Sequence, residues 1–163
     1  MALSGTALGR RVAGMSPRQL AALRGNTFGV LAMLIVQFAL GSVVNLYATI
    51  PARDKGGGTF GAIGRALTIG PVSLGAHAGL GLLIVLTAAA LVVRSIVTRH
   101  TASIVLSVIG LLAIVSAALN GARFVADGGP ASASLAMALS TALAMLCYAI
   151  GLLLLGFSRP ASN

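Results

Sequence analysis

The sequence predicts an all-α integral membrane protein, a four-helix up-down-up-down bundle, and three observations carry that prediction. Of 163 residues, 58% are hydrophobic and 8% charged, with a mean hydropathy of +1.03, far from the balance of a domain that folds in water. The apolar residues are gathered into four uncharged stretches, 25–52, 66–93, 101–122 and 128–158, of 28, 28, 22 and 31 residues. Each exceeds the roughly 20 residues that carry a helix across about 30 Å of hydrocarbon. All five prolines, at 17, 51, 71, 130 and 160, fall outside the expected helix interiors, where a missing N–H leaves no carbonyl unpaired in lipid.

Trimmed at turn signals, the helices are expected at 27–49, 72–93, 102–122 and 131–157, within a single four-span transmembrane domain covering 1–163. Pro51 closes the first helix, Pro71 and Pro130 precede the second and fourth, and Pro160 follows the last. Segment 1–26 is expected to be cytoplasmic. Ser16 and Pro17 read as an N-cap and first helical residue, opening a short surface helix over 17–24 with Leu20 and Leu23 on one side; a frayed terminus serves the same charge pattern. The loops at 94–101 and 123–130 are eight residues each, so consecutive helices return as antiparallel neighbours. The 51–71 segment is longer, and Phe60, Ile63 and Leu67 have the spacing of a short interfacial helix, opposed by its glycines.

Eleven basic residues set the orientation. Four precede the first span, two lie in the second loop and one in the tail, against three in the first loop and one in the third. Seven against four predicts both termini inside, in a multi-pass protein of the plasma or inner membrane. The first apolar run is longer than a signal peptide's and is followed by Tyr47-Ala-Thr-Ile-Pro51 rather than a small-residue cleavage site, so it reads as retained. A net charge of +9 and a pI near 11.8 would suggest nucleic acid for a soluble domain. Scattered through membrane-flanking segments, the charge points to anionic lipid headgroups, and nucleic acid is not an expected partner. Ten arginines to one lysine, with abundant Ala and Gly, associate with a GC-rich bacterial genome.

Polar residues inside hydrocarbon are costly and therefore informative. Gln37, Gly41 and Asn45 recur every four residues on one face of the first span. His77 lies in Gly75-Ala-His-Ala-Gly79, a GxxxG pattern that permits close helix approach. Ser116 and Asn120 are four apart in the third span, with Arg123 three further on. Asn45, His77 and Asn120 fall at similar depth near the external end, so one expectation is an outward-facing polar pocket of these three with Arg123, and Asp127 beside it, at the rim. The other is that they hydrogen-bond between helices and hold the bundle together. Gly41, Gly75, Gly79, Ser140 and Ala144 are the expected packing positions, the last two within a small-residue seam that continues to Tyr148.

A helix histidine packed among glycines is also how membrane four-helix bundles hold haem. His100, 23 residues beyond His77, would lie about 34 Å away along a helix, so the second axial ligand would have to come from a methionine or another subunit. The sequence has no Glu, neither Asp falls in a span, and the lone Cys147 excludes an intrachain disulfide. That leaves no hydrolytic or zinc constellation. Lys55-Gly-Gly-Gly-Thr59 lacks the order of a phosphate loop and reads as a turn. Two functional readings follow: a non-enzymatic accessory or self-associating membrane subunit, as a homo-oligomer or within a larger complex, and an outer-leaflet bundle binding haem, quinone or a small solute at His77.

Overall fold

The computed structural model describes residues 15–47, 58, 61, 64 and 72–157. Four helices form the bundle: α1 (Pro17–Tyr47), α2 (Val72–Val97), α3 (Thr101–Ala126) and α4 (Ala131–Phe157). All four are long and apolar enough to cross a membrane, and the protein is a small multi-pass membrane protein. Each helix packs on two antiparallel neighbours, α1 on α2, α2 on α3, α3 on α4 and α4 back on α1, with α3 and α4 the most closely associated pair. The end holding Pro17, Val97, Thr101 and Phe157 is called proximal below, and the other end distal.

α4 spans the expected residues. α1 does not: the segment expected as a separate surface helix over 17–24 is its first two turns. Leu20 and Leu23 are 2% and 0% exposed, so their apolar side faces the bundle, and nothing between Arg24 and Thr27 breaks the helix. The start at Pro17 is secured by a capping box, in which Gln19 N–H donates to Ser16 Oγ at 3.2 Å and Ser16 N–H donates to Gln19 Oε1 at 2.9 Å. α2 and α3 each run four residues past the expected ends, because charge at Arg94 and Arg123 does not interrupt helical hydrogen bonding once the side chains reach outward. Arg123, expected in a loop, therefore lies in the last turn of α3.

The connections follow from local chemistry. Between α2 and α3, Arg99 takes φ +53°, and His100 caps α3, its Nδ1 accepting from Ser103 N–H at 3.3 Å and lying 2.8 Å from Ser103 Oγ. α3 ends at Asp127, Gly128 and Gly129, the glycines at φ +76° and +93°, a backbone that L side chains disfavour. Gly129 N–H donates to Phe124 O at 2.7 Å, and Pro130 stops the chain from continuing as a helix. Of the expected interfacial helix in 51–71, only Gly58, Gly61 and Gly64 are described, so that expectation lies outside the described residues.

Two apolar clusters make the interior. The larger, toward the proximal end and middle, contains Leu23, Val30, Leu34, Ile84, Leu91, Ile114, Tyr148 and Leu155; the smaller, at the distal end, contains Val44, Leu74 and Val125. Outward-facing Phe28, Ile35, Leu86, Leu112, Leu139 and Leu153 are exposed. In water that surface would be an aggregation hazard; in a bilayer it is the surface that meets acyl chains.

Candidate functional site

On α1, α2 and α3, polar or small residues occupy the interval between the two clusters, Gln37 and Gly41 on α1, His77 and Gly81 on α2, and Ser116 and Asn120 on α3, and Ser140 of α4 lies beside Ser116 at the same level. This register forms a transverse polar layer, which the helices satisfy in pairs.

The α1–α2 pair is the most elaborate. Gln37 Nε2 donates to the His77 carbonyl at 2.9 Å and lies 3.3 Å from His77 Nε2. A carboxamide nitrogen can only donate, so His77 Nε2 is the acceptor and the ring proton sits on Nδ1. The imidazole lies flat against α1 because residue 41 is glycine. A Cβ there would come within 2.9 Å of His77 Cε1, closer than carbon atoms tolerate. Gly81 makes room for the amide in the same way, its Cβ position being 3.1 Å from Gln37 Nε2. Two buried polar atoms of this pair, His77 Nδ1 and Gln37 Oε1, have no hydrogen-bond partner among the described residues.

α3 and α4 meet through Ser116 Oγ and Ser140 Oγ, 3.1 Å apart. Asn120 does not reach another helix; its Nδ2 donates to Ser116 O, one turn back on α3, at 2.9 Å. Asn45 lies nearer the distal end on an exposed face of α1 and accepts from Ser134 Oγ on α4 at 3.3 Å. The residues considered together as a pocket thus have separate partners: His77 is bonded to Gln37, Asn45 to Ser134 and Asn120 to its own helix, while Arg123 is exposed. No hydrogen bond among the described residues joins any two of the four.

The packing positions also sort themselves. Gly41 and Ala144 are buried, and Ser140 bonds across to Ser116, whereas Gly75 and Gly79 are half-buried. Beyond Gly41 and Gly81, the closest approach is at Gly110 on α3. There a Cβ would fall 2.7 Å from Tyr148 Cζ and 2.9 Å from its Oη. Gly110 has no polar neighbour in the chain and no small partner four residues away, so only the position of the Tyr148 ring reveals it.

Chemically, the layer offers hydrogen bonds and one imidazole, with no carboxylate. The nitrogen a haem iron would use most directly, His77 Nε2, already receives the Gln37 amide, so axial ligation there would require that side chain to turn away. No protein-family model matches the chain, and no curated protein or solved structure is similar to it.

Proposed function

We propose that the protein is a non-enzymatic subunit of the plasma membrane, with both termini in the cytoplasm, that works by assembling with copies of itself or with another integral membrane protein. The observation that carries this reading is the Gln37–His77 pair. The one imidazole within the described spans is used to bond α1 to α2, with its Nε2 occupied and its ring seated on Gly41. The other polar groups of the layer likewise bond between helices or along one. Such bonds specify register and mutual orientation, averaging about 0.6 kcal/mol each in a membrane. The proximal end is then the cytoplasmic one. There the exposed Arg18, Arg94 and Arg99 favour anionic lipid headgroups by about 1 kcal/mol each.

A second reading, a ligand site centred on His77, is favoured by one specific observation: His77 Nδ1 and Gln37 Oε1 present a buried donor and a buried acceptor without partners. A small solute or quinone carbonyl would match the donor. Purification from native membranes in mild detergent, read by native mass spectrometry and an absorption spectrum of the same sample, separates the two. A subunit appears as a defined homo-oligomer or complex and stays assembled after His77→Gln. A ligand-binding bundle instead carries a bound molecule that His77→Gln removes.

A further inference from the structure

We propose that the Gln37–His77 pair is a proton-driven latch between α1 and α2, in which protonation of His77 Nε2 turns the Gln37 amide over and moves its grip from the His77 backbone carbonyl to the imidazole ring. One amide nitrogen faces both groups, donating to the carbonyl oxygen at 2.9 Å and lying 3.3 Å from the ring Nε2. That arrangement holds only while Nε2 carries a lone pair. A proton taken up there sets N–H against NH2, two donors with no acceptor between them.

The amide is built to answer. Its oxygen, Oε1, is buried without a hydrogen-bond partner among the described residues. Rotation about the last side-chain torsion, a broad and two-fold one, therefore breaks only the two contacts of the nitrogen. Gly81 leaves space for the turn, since a Cβ there would stand 3.1 Å from Gln37 Nε2. Turned over, Oε1 accepts from Nε2–H in a charge-assisted bond, stronger than the neutral one it replaces. The same oxygen then confronts the carbonyl oxygen from the place the nitrogen held, 2.9 Å away, and two acceptors repel. α1 thereby keeps its hold on the ring and releases the backbone of α2. One proton enters at Nε2, the Nδ1 proton stays, and the ring carries the charge.

No other group is placed to take that charge. The face of α1 against His77 carries Gln37 and Gly41, and α2 has no charged residue between Val72 and Val93. On α4 the titratable groups, Cys147 and Tyr148, sit toward the proximal end beside Ser95 and Ser103. Tyr47, Arg123 and Asp127, toward the distal end, are exposed. His77 itself is half-buried and lies five residues from Val72, the distal start of α2, about 7.5 Å along the axis. The proton therefore comes from the distal membrane surface, which is the external one in the orientation proposed above; the latch itself does not depend on that orientation.

The sequence holds two histidines, and His100→Asn, which keeps a good N-cap on α3, leaves His77 alone. The full-length variant, made with isotope-labelled histidine and placed in lipid bilayers, reports both ends of the latch by solid-state NMR as it is titrated from about pH 8 to about pH 5, the range in which histidine switches. At the start the ring should show a protonated Nδ1 and a bare Nε2. On acidification Nε2 should gain a proton, and the His77 carbonyl carbon should shift upfield in the same step as it loses the Gln37 hydrogen bond. Adding Gln37→Met, which removes the amide, should let the ring titrate with the carbonyl signal fixed. A ring that stays neutral across the range, a proton on Nε2 at the start, a carbonyl that ignores the proton, or the same carbonyl shift with methionine at position 37 overturns the proposal.

Discussion

One amide nitrogen of Gln37 serves two acceptors on His77, the backbone carbonyl at 2.9 Å and the ring Nε2 at 3.3 Å. The side chain thereby links α1 to α2 and selects the His77 tautomer in the same contact. Removing the donor with Gln37→Met should destabilise the bundle by about 1 kcal/mol, and a double-mutant cycle with His77→Ala should return a coupling near 0.6 kcal/mol, up to about 1.7. Reversible unfolding in mixed micelles measures both quantities, and a coupling of zero would show that the pair does not hold the helices together.

Glycine-to-alanine substitutions should sort by what lies opposite. At Gly110 the new methyl meets the buried Tyr148 ring at 2.7 Å, and overpacking of about 1 to 3 kcal/mol is expected. At Gly41 it meets the edge of His77 at 2.9 Å, so the ring must turn and the Gln37 bond is lost with it. Gly25 and Gly29 have nothing within 4 Å of a Cβ, and alanine there should be neutral or stabilising. A unfolding series in one detergent ranks the four, with Gly110→Ala expected to be the most damaging.

The guanidinium of Arg24 closes the proximal end by bonding to the last turn of α4. Its Nε donates to Leu155 O at 2.9 Å, its Nη2 donates to the same carbonyl, and Nη2 also reaches Gly156 O at 3.2 Å. These carbonyls lack partners within the helix, and a cation beside them complements the negative end of the dipole. Arg24→Met should cost about 1.5 to 3 kcal/mol. Arg24→Lys should recover part of the loss, because an ammonium keeps the charge without the fork. Equal stability of all three proteins would refute the capping role.

His100 should make stability depend on pH. Burial holds its pKa below the ordinary 6.5, and only the unprotonated ring can accept the Ser103 N–H that starts α3. Above pH 6.5 both folded and unfolded chains carry the neutral ring, and the contribution is complete. As pH falls below 6.5 the unfolded chain takes up a proton first, and stability declines until the folded-state pKa is passed. The positive end of the α3 dipole disfavours the protonated ring in the same direction. Thermal midpoints measured from pH 7.5 to pH 5 should therefore fall, and His100→Asn, a good N-cap without a titrating group, should flatten the profile.

The span pattern was open to reading because hydropathy is a local property. α4 matches the range read from its apolar run, while α1 begins ten residues before its expected start. Arg18 and Arg24 look like the edge of a span when charge is counted, yet Arg24 satisfies itself against α4 carbonyls and leaves the helix unbroken. The polar face of α1 shows the same limit. Residues four apart drift by about 40° on a helix of 3.6 residues per turn, so Gln37 and Gly41 face His77 while Asn45, two steps on, has rotated outward toward Ser134. His77 was recognisable as a costly polar group in lipid. That its partner is Gln37, and not Asn45 or Asn120, depends on the relative rotation and height of two helices, which no spacing within one helix encodes.

Composition and periodicity alone determined that four apolar helices cross a membrane and where polar groups interrupt them, because the cost of charge and of unpaired backbone in hydrocarbon acts residue by residue. The pairing of those polar groups, the glycines that admit an imidazole at Gly41 and a phenol ring at Gly110, and the bonding of Arg24 to the last turn of α4 were decided only by tertiary structure. Each is a relation between side chains on different helices, and its energy exists only once the helices have fixed their distance, rotation and register.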